Sequence, residues 1–212
     1  MKQTRAFYQT DAVSLARALI GCELVHDAHG GRTSGMIVET EAYAGRTDAA
    51  CHSYKRSAPE GAHRTNVMFG PGGFAYVYLI YGMYNCFNVV ANSEGEPEAV
   101  LIRALEPRDG IDLMRARRGV DDARKLCSGP GKLCIAMNIT REQYGLDLSG
   151  ETLYIRSGIP VADGAVAATP RINVDYAGDD VLRPYRFVLR ESAYLSTRRF
   201  LPKRTNIKQS QP

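Results

Sequence analysis

The chain has 212 residues, enough for one domain with a sizeable core. Its 44% hydrophobic and 24% charged content excludes a disordered or fibrous protein. A charge of 27 minus 23, or +4, permits a polyanionic partner without requiring one.

Residues 1–9 read as a lead-in. Thr10 or Asp11 can cap a helix through Val13, Ala16, Leu19 and Ile20, which Gly21 stops. Residues 22–25 read as a strand, and His29-Gly30-Gly31-Arg32 as the turn into a second strand, 36–43, with His26 and His29 decorating the hairpin. Alternation in that second strand puts Glu39, Glu41 and Tyr43 on one face and Val38, Thr40 and Ala42 on the other. Two carboxylates so placed are costly unless something uses or neutralises them.

Residues 44–69 are polar and carry little periodicity, and a segment that long inside a compact domain is usually functional or disordered. The Gly70-Pro71-Gly72-Gly73 cluster then opens a run rich in strand formers: Tyr76, Val77, Tyr78 and Ile80, and after a turn Phe87, Val89 and Val90. The intervening Tyr81-Gly82-Met83-Tyr84-Asn85 reads as a hairpin tip with an aromatic ring exposed beside basic segments, which suits stacking on nucleic-acid bases.

A strand at 100–105 places Arg103 between Leu101 and Leu105, where it needs an anionic partner, and the Glu39/Glu41 face supplies one. Residues 111–125 read as a single basic helix carrying Arg115, Arg117, Arg118, Arg124 and Lys125. In residues 126–134, Ser128, Gly129, Pro130, Gly131 and Lys132 form a tight loop before a short helix, and its amides suit a phosphate although the spacing is not that of a Walker A loop. Strands follow at 152–156 and 185–189, and Arg198, Arg199, Lys203, Arg204 and Lys208 crowd a tail, 198–212, expected to be flexible.

The expectation is one α+β domain over 1–212, with no internal repeat or interdomain linker. Five cysteines show no CxxC pair and no zinc-ribbon spacing. With no secretory segment, they predict reduced thiols in the cytoplasm, Cys127 and Cys134 serving as small buried hydrophobes. No apolar run is long enough to span a membrane.

The ordered runs V-E-T-E-A-Y, A-C-H-S, M-F-G-P-G-G, Y-V-Y-L-I-Y-G-M-Y-N-C-F-N, L-I-R-A-L-E-P and C-S-G-P-G-K-L-C resemble the alkyladenine (3-methyladenine) DNA glycosylase family, bacterial type, densely over 36–134 and less so from 6 to 190. The resemblance implies a mixed domain with a curved antiparallel sheet, surrounding helices and a protruding hairpin. It implies a monofunctional hydrolase that flips a damaged purine (3-methyladenine, 7-methylguanine or hypoxanthine type) out of double-stranded DNA. Water then cleaves the N-glycosidic bond and leaves an abasic site. By the same resemblance, Glu41 is the base on water with Arg103 beside it. Tyr43, His52, Tyr78 and Asn88 form the base pocket, with Tyr78 stacking on the flipped base. Tyr81 and Met83 enter the duplex, and Ser128 and Lys132 meet the DNA backbone. No cofactor and no metal is implied, and the protein is expected to act as a monomer in the bacterial cytosol. Cys51 stands where the family more often has Ala or Ser, which alters the pocket lining.

Three rival readings differ in chemistry. A metal hydrolase would use Glu39, Glu41 and His52, although their spacing follows no recognised ligand pattern. A non-catalytic reader of distorted DNA would keep the hairpin but gain nothing from Glu41. A glycosylase with lyase activity would use Lys132 as its nucleophile.

Overall fold

In the computed structural model, residues 1–61 and 63–201 are described. Eight strands form an open, wholly antiparallel sheet: β1 (Glu23–Ala28), β2 (Gly31–Tyr43), β3 (Ala75–Ile80), β4 (Tyr84–Ala91), β5 (Glu98–Pro107), β6 (Leu153–Arg156), β7 (Val166–Thr169) and β8 (Arg186–Leu189). Its order is β3-β4-β5-β2-β1-β6, with β8 joining β2 and β7. The 13-residue β2 organises this sheet. One of its edges pairs with β5, while the other takes β1 along Gly31–Met36 and β8 along Glu39–Glu41. The carboxylate-bearing stretch is thereby enclosed on both sides.

The helices are α1 (Arg5–Tyr8), α2 (Ala12–Ala18), α3 (Ile111–Arg118), α4 (Ala123–Leu126) and α5 (Pro130–Met137). The α2 helix starts as its residues dictate: Asp11 accepts from the Ser14 amide and caps it. One sheet face packs Ile37, Phe87, Val89, Val100 and Ile102 against Leu15 and Leu19 of α2 and Leu133 and Met137 of α5. Smaller clusters cover the opposite face, one with Met36, Val38, Ala104, Val188 and Leu195, another with Cys51, Met68, Tyr76, Val90 and Ala99.

Several expectations are corrected. The lead-in contains α1, whose Tyr8 is fully buried while Arg5 donates to the Gly72 carbonyl. The first hairpin extends to Ala28 and Gly31, and His26 does not decorate it. Its ring is buried, with Nδ1 2.7 Å from the Met137 carbonyl oxygen. A bulge in β2 against β5 breaks the strict alternation at 37–39. Val38 therefore packs with Met36, not with Thr40 and Ala42, and Leu105 joins the main core instead of sharing the face of Arg103.

The basic helix expected over 111–125 is two helices. Gly119, at φ 62°, ends α3, and α4 restarts after Asp122, whose carboxylate accepts from the Arg124 amide. Strand β7 was not expected, because its Val-Ala-Ala-Thr sequence is short and weak in strand propensity. Among the described residues of 44–69 there is no strand, but there are two short 3-10 turns, Gly45–Thr47 and Asn66–Phe69. Of the basic tail, Lys203, Arg204 and Lys208 lie outside the described residues. The five cysteines are free and buried, as expected for Cys127 and Cys134. Among the described residues no helix is long and apolar enough to cross a membrane.

Candidate active site

The opposite face of the sheet carries a cleft of about 530 Å³ between the β3–β4 hairpin, the start of α5 and the 172–176 segment. Tyr43, His52, Tyr78, Tyr81, Arg103 and Lys132 all line it. It continues into a recess of about 40 Å³ walled by Tyr43, His52, Tyr78 and Asn88, with Cys51, Tyr76 and Tyr176. Residues up to 89 positions apart in sequence thus meet at one place. Met83 and Ser128 are not in the cleft wall. Met83 is exposed on the hairpin tip, and Ser128 bridges its backbone to Ala104 of β5.

Beneath the cleft floor lies a buried charge cluster. Glu41 is fully buried, and each of its three partners lines the cleft. Its Oε1 accepts from the Ile172 amide at 2.7 Å. Its Oε2 accepts from the Tyr43 hydroxyl at 2.9 Å and from Arg103 Nη1 at 3.1 Å. Arg103 also donates through Nε to Glu39 Oε1 at 2.9 Å, and Glu39 Oε1 accepts from Arg186 Nε at 2.8 Å. Two carboxylates and two guanidiniums balance, which is how the like charges of Glu39 and Glu41 coexist out of water. Burial alone would raise the pKa of Glu39, but the Arg103 and Arg186 charges outweigh it and hold the group below the ordinary carboxylate value.

A second buried pair braces the site. Arg171 grips both oxygens of Asp48 at 2.5 and 2.8 Å and donates to the Ala42 carbonyl at 2.9 Å. Its guanidinium lies over the Tyr43 ring, 5.0 Å from the centroid. This clamp fixes the segment that leads to His52, and it places the next residue, Ile172, where its amide reaches Glu41.

The walls of the recess are largely aromatic and carry no Asp, Glu, Lys or Arg. His52 packs edge-on to Tyr78 with centroids 4.8 Å apart, and its Nδ1 lies 2.9 Å from the Tyr76 hydroxyl. Burial first, then the charges of Arg64 and Arg56, push its pKa down to about 4, so the ring is neutral at pH 7. Burial also raises the pKa values of Tyr43 and Tyr78, which stay protonated. Asn88 Nδ2 donates to the Tyr76 carbonyl at 3.0 Å, so its amide satisfies the hairpin backbone and walls the recess at once.

At the tip, Tyr81 and Gly82 both adopt positive φ, 53° and 70°, in a turn closed by the Met83 amide donating to the Ile80 carbonyl at 3.2 Å. Glycine adopts this backbone freely; a tyrosine does not. Helix α5 begins against Tyr84, at the tip end of the hairpin. A Cβ on Gly131 would stand 3.1 Å from Tyr84, so glycine permits this approach and brings Lys132 into the cleft wall.

Among the described residues, no group of three or more His, Cys, Asp or Glu is arranged to hold a metal ion. Glu39 and Glu41 face arginines instead. Sequence reasoning missed Asp48, Arg171, Ile172, Tyr176, Arg186 and Ser196. Only Arg186 carried a usable signal, since it stands in a predicted strand beside Phe187 and Val188, the argument that singled out Arg103.

The sequence profile of the methylpurine-DNA glycosylase (MPG) family matches residues 6–193. The chain is 44% identical to a protein of Alkaliphilus oremlandii over 208 residues, covering 92% of this chain and 99% of the relative. It is 46% identical to one of Bacillus cytotoxicus over 207 residues, with 92% and 100% covered. A Methanocella arvoryzae protein is 50% identical over 199 residues, with 92% and 95% covered. All three bear the name "Putative 3-methyladenine DNA glycosylase". On a match that spans nearly the whole described chain and every residue lining the cleft, the chain belongs to the methylpurine-DNA glycosylase family.

Proposed function

We propose that this DNA repair glycosylase excises alkylated or deaminated purines (3-methyladenine, 7-methylguanine or hypoxanthine type) from duplex DNA, acting as a monofunctional monomer in the cytoplasm. The observation that carries this reading is Glu41. A carboxylate held by Tyr43, Arg103 and the Ile172 amide lies directly beneath an aromatic cleft sized for a flipped base.

A purine stacked in a duplex hides its sugar C1′, so extrusion precedes chemistry, and a damaged base is the easiest to extrude. Tyr81, exposed and rigidly aimed at the hairpin tip with Met83 beside it, fills the gap left behind. The base enters between Tyr43, His52 and Tyr78, whose neutral faces suit stacking on a purine. Lys132, at the start of α5, and the adjoining Ser128 loop meet phosphates of the same strand.

Glu41 then takes a proton from water as the water oxygen bonds to C1′. The glycosidic C–N bond breaks and the purine leaves with its electron pair. Alkylation at a ring nitrogen makes that purine a cationic, readily departing group, so the enzyme mainly positions water and stabilises an electron-poor sugar. Arg103 orients Glu41 through the ion pair from its Nη1 to Glu41 Oε2. A non-catalytic DNA reader gains nothing from a carboxylate held beneath the cleft by three hydrogen bonds, with acceptor capacity left for a water.

Duplexes carrying one defined lesion each, scored for alkali-labile sites, test the proposal. Wild type should cleave at least one alkylated purine. Glu41→Gln keeps the shape but removes the proton acceptor, so it should bind equally and cut at least about a hundredfold more slowly. Normal single-turnover cleavage by that variant overturns the assignment.

A further inference from the structure

The charge cluster does not end at Arg103. Glu39 Oε1 also accepts from the Ser196 hydroxyl at 2.7 Å, and Glu39 Oε2 from the Ser196 amide at 2.7 Å. The same hydroxyl lies 3.4 Å from Arg103 Nη2. Arg186, fully buried, donates to the Thr197 carbonyl at 2.6 Å, to the Arg199 carbonyl at 3.1 Å and to the Thr169 hydroxyl at 3.1 Å. Leu195 anchors the same segment among Met36, Val38 and Val188.

Accordingly, we propose that Glu39, Arg186 and Ser196 form a positioning device that aims the Arg103 guanidinium at Glu41, making the 195–199 segment part of the catalytic apparatus. This rests on the reading of Glu41 as the base.

Two physical arguments carry it. First, the β2–β5 register runs from the Glu39–Ala104 pair to the Thr40–Ile102 pair and skips Arg103. Backbone pairing therefore does not fix the aim of this side chain, and its hydrogen bonds must. All three guanidinium nitrogens are engaged: Nε by Glu39, Nη1 by Glu41 and Nη2 by Ser196. A planar fork held at three points has one orientation. Glu39 and Ser196 supply two of those points, and each is locked in turn.

Second, Glu39 cancels a charge. The two arginines and two glutamates sum to zero. Without the Glu39 anion, one positive charge in excess would lie beneath a site where the sugar becomes electron-poor and the leaving base is cationic. Repulsion there opposes the transition state. A purely structural buried pair does not require a serine to bridge the carboxylate to the catalytic arginine.

The test is single-turnover excision with enzyme in excess over an alkylated duplex, in wild type, Glu39→Gln and Ser196→Ala. The rate constant reports site geometry, whereas the amplitude reports the fraction of folded enzyme. Lesion-duplex Kd is measured alongside. Expected are a rate constant lower by about ten- to a hundredfold for Glu39→Gln and by about two- to tenfold for Ser196→Ala, with full amplitude and unchanged Kd. Ser196→Ala loses only a hydroxyl and keeps the backbone amide on Glu39, so it remains a fair test if Glu39→Gln folds poorly. Rate constants within about twofold of wild type, or losses confined to amplitude, overturn the proposal. An inactive wild type overturns the proposed function and this inference with it; an active wild type with unaffected variants overturns only the inference.

Discussion

The floor of the cleft and the tip of the hairpin are built on opposite principles. At the floor, Glu39, Glu41, Arg103 and Arg186 are buried and held on several sides each, and Asp48 with Arg171 braces them from a second direction. At the tip, Tyr81 is 76% exposed and its turn is closed by one backbone hydrogen bond. On the proposed function, the difference follows from what each part must do. Charges near a reacting carbon act only if they are already in place, since any reorganisation during the reaction raises the barrier. A ring that must enter a base stack has to leave solvent for its partner, so burial within the protein would defeat it. Its preparation is instead in the backbone: the left-handed φ of 53° costs some stability and aims the ring outward.

The comparison breaks most severely at the brace. Arg171→Leu leaves the fully buried Asp48 with no cation, and removing one partner of such a pair costs about 3–5 kcal/mol. Urea denaturation should show that loss, and replacing Asp48 and Arg171 together by apolar residues should recover most of it. A loss below about 1 kcal/mol in the single variant would mean that the floor is not braced there.

The wall between floor and tip should be next, through acid. His52 titrates near 4 in the folded protein against 6.5 for an ordinary histidine. Below 6.5 the unfolded chain therefore binds a proton that the folded chain refuses. Stability is intact above pH 6.5 and falls as the pH drops towards 4. The interval of about 2.5 units corresponds to roughly 3 kcal/mol when fully developed. His52→Gln should flatten the decline measured by urea unfolding at pH 7 and pH 5. Some slope should remain, because burial also lowers the pKa of His26. An unchanged slope would mean that the His52 ring is free to take up water and charge.

At the tip, Tyr81→Ser should slow excision roughly tenfold, since unstacking a step costs a few kcal/mol and serine cannot refill the gap. Stability should hardly move, because Tyr81 packs against little. The loss should be greatest on well-paired lesions and least on mismatched ones. Equal losses on both would make Tyr81 a scaffold residue, and the contrast with the floor would disappear.

The same contrast sets how much of the molecule the sequence disclosed. Glu39, Glu41 and Tyr43 were legible because a strand repeats every two residues, and Arg103 because a charge among aliphatics must find a partner. The tip was legible from glycine and exposed aromatics. Asp48 and Arg171 were not, for they sit in aperiodic segments and meet across 123 positions, which no local pattern encodes. The Val38 bulge was hidden for a related reason: it lies in the pairing of β2 with the distant β5, and nothing in the β2 residues marks it. Ser196 went unnoticed because its partner, Glu39, lies 157 positions away.

The smallest expected effect lies in the recess, where the two principles meet. Asn88 is buried like the floor yet lines the recess like the walls. Its Nδ2 is committed to the Tyr76 carbonyl at 3.0 Å, so the amide cannot swing aside. Guanine carries a 2-amino group on its minor-groove edge, which adenine and hypoxanthine lack. In a recess of about 40 Å³ a fixed amide leaves little room for that group. On the proposed function, the tether to Tyr76 would make a backbone-satisfying side chain a filter against a normal base. Asn88→Ser shortens the side chain, frees the Tyr76 carbonyl and opens the recess. The ratio of excision rates for 7-methylguanine over hypoxanthine, in matched duplexes, should rise about three- to tenfold, the low end for one small group in a fitted pocket. Thermal melts of the same variant separate the alternatives. A ratio that stays fixed while both rates and the melting temperature fall would assign Asn88 to the hairpin alone, whereas a shifted ratio at unchanged stability can come only from the space beside the base.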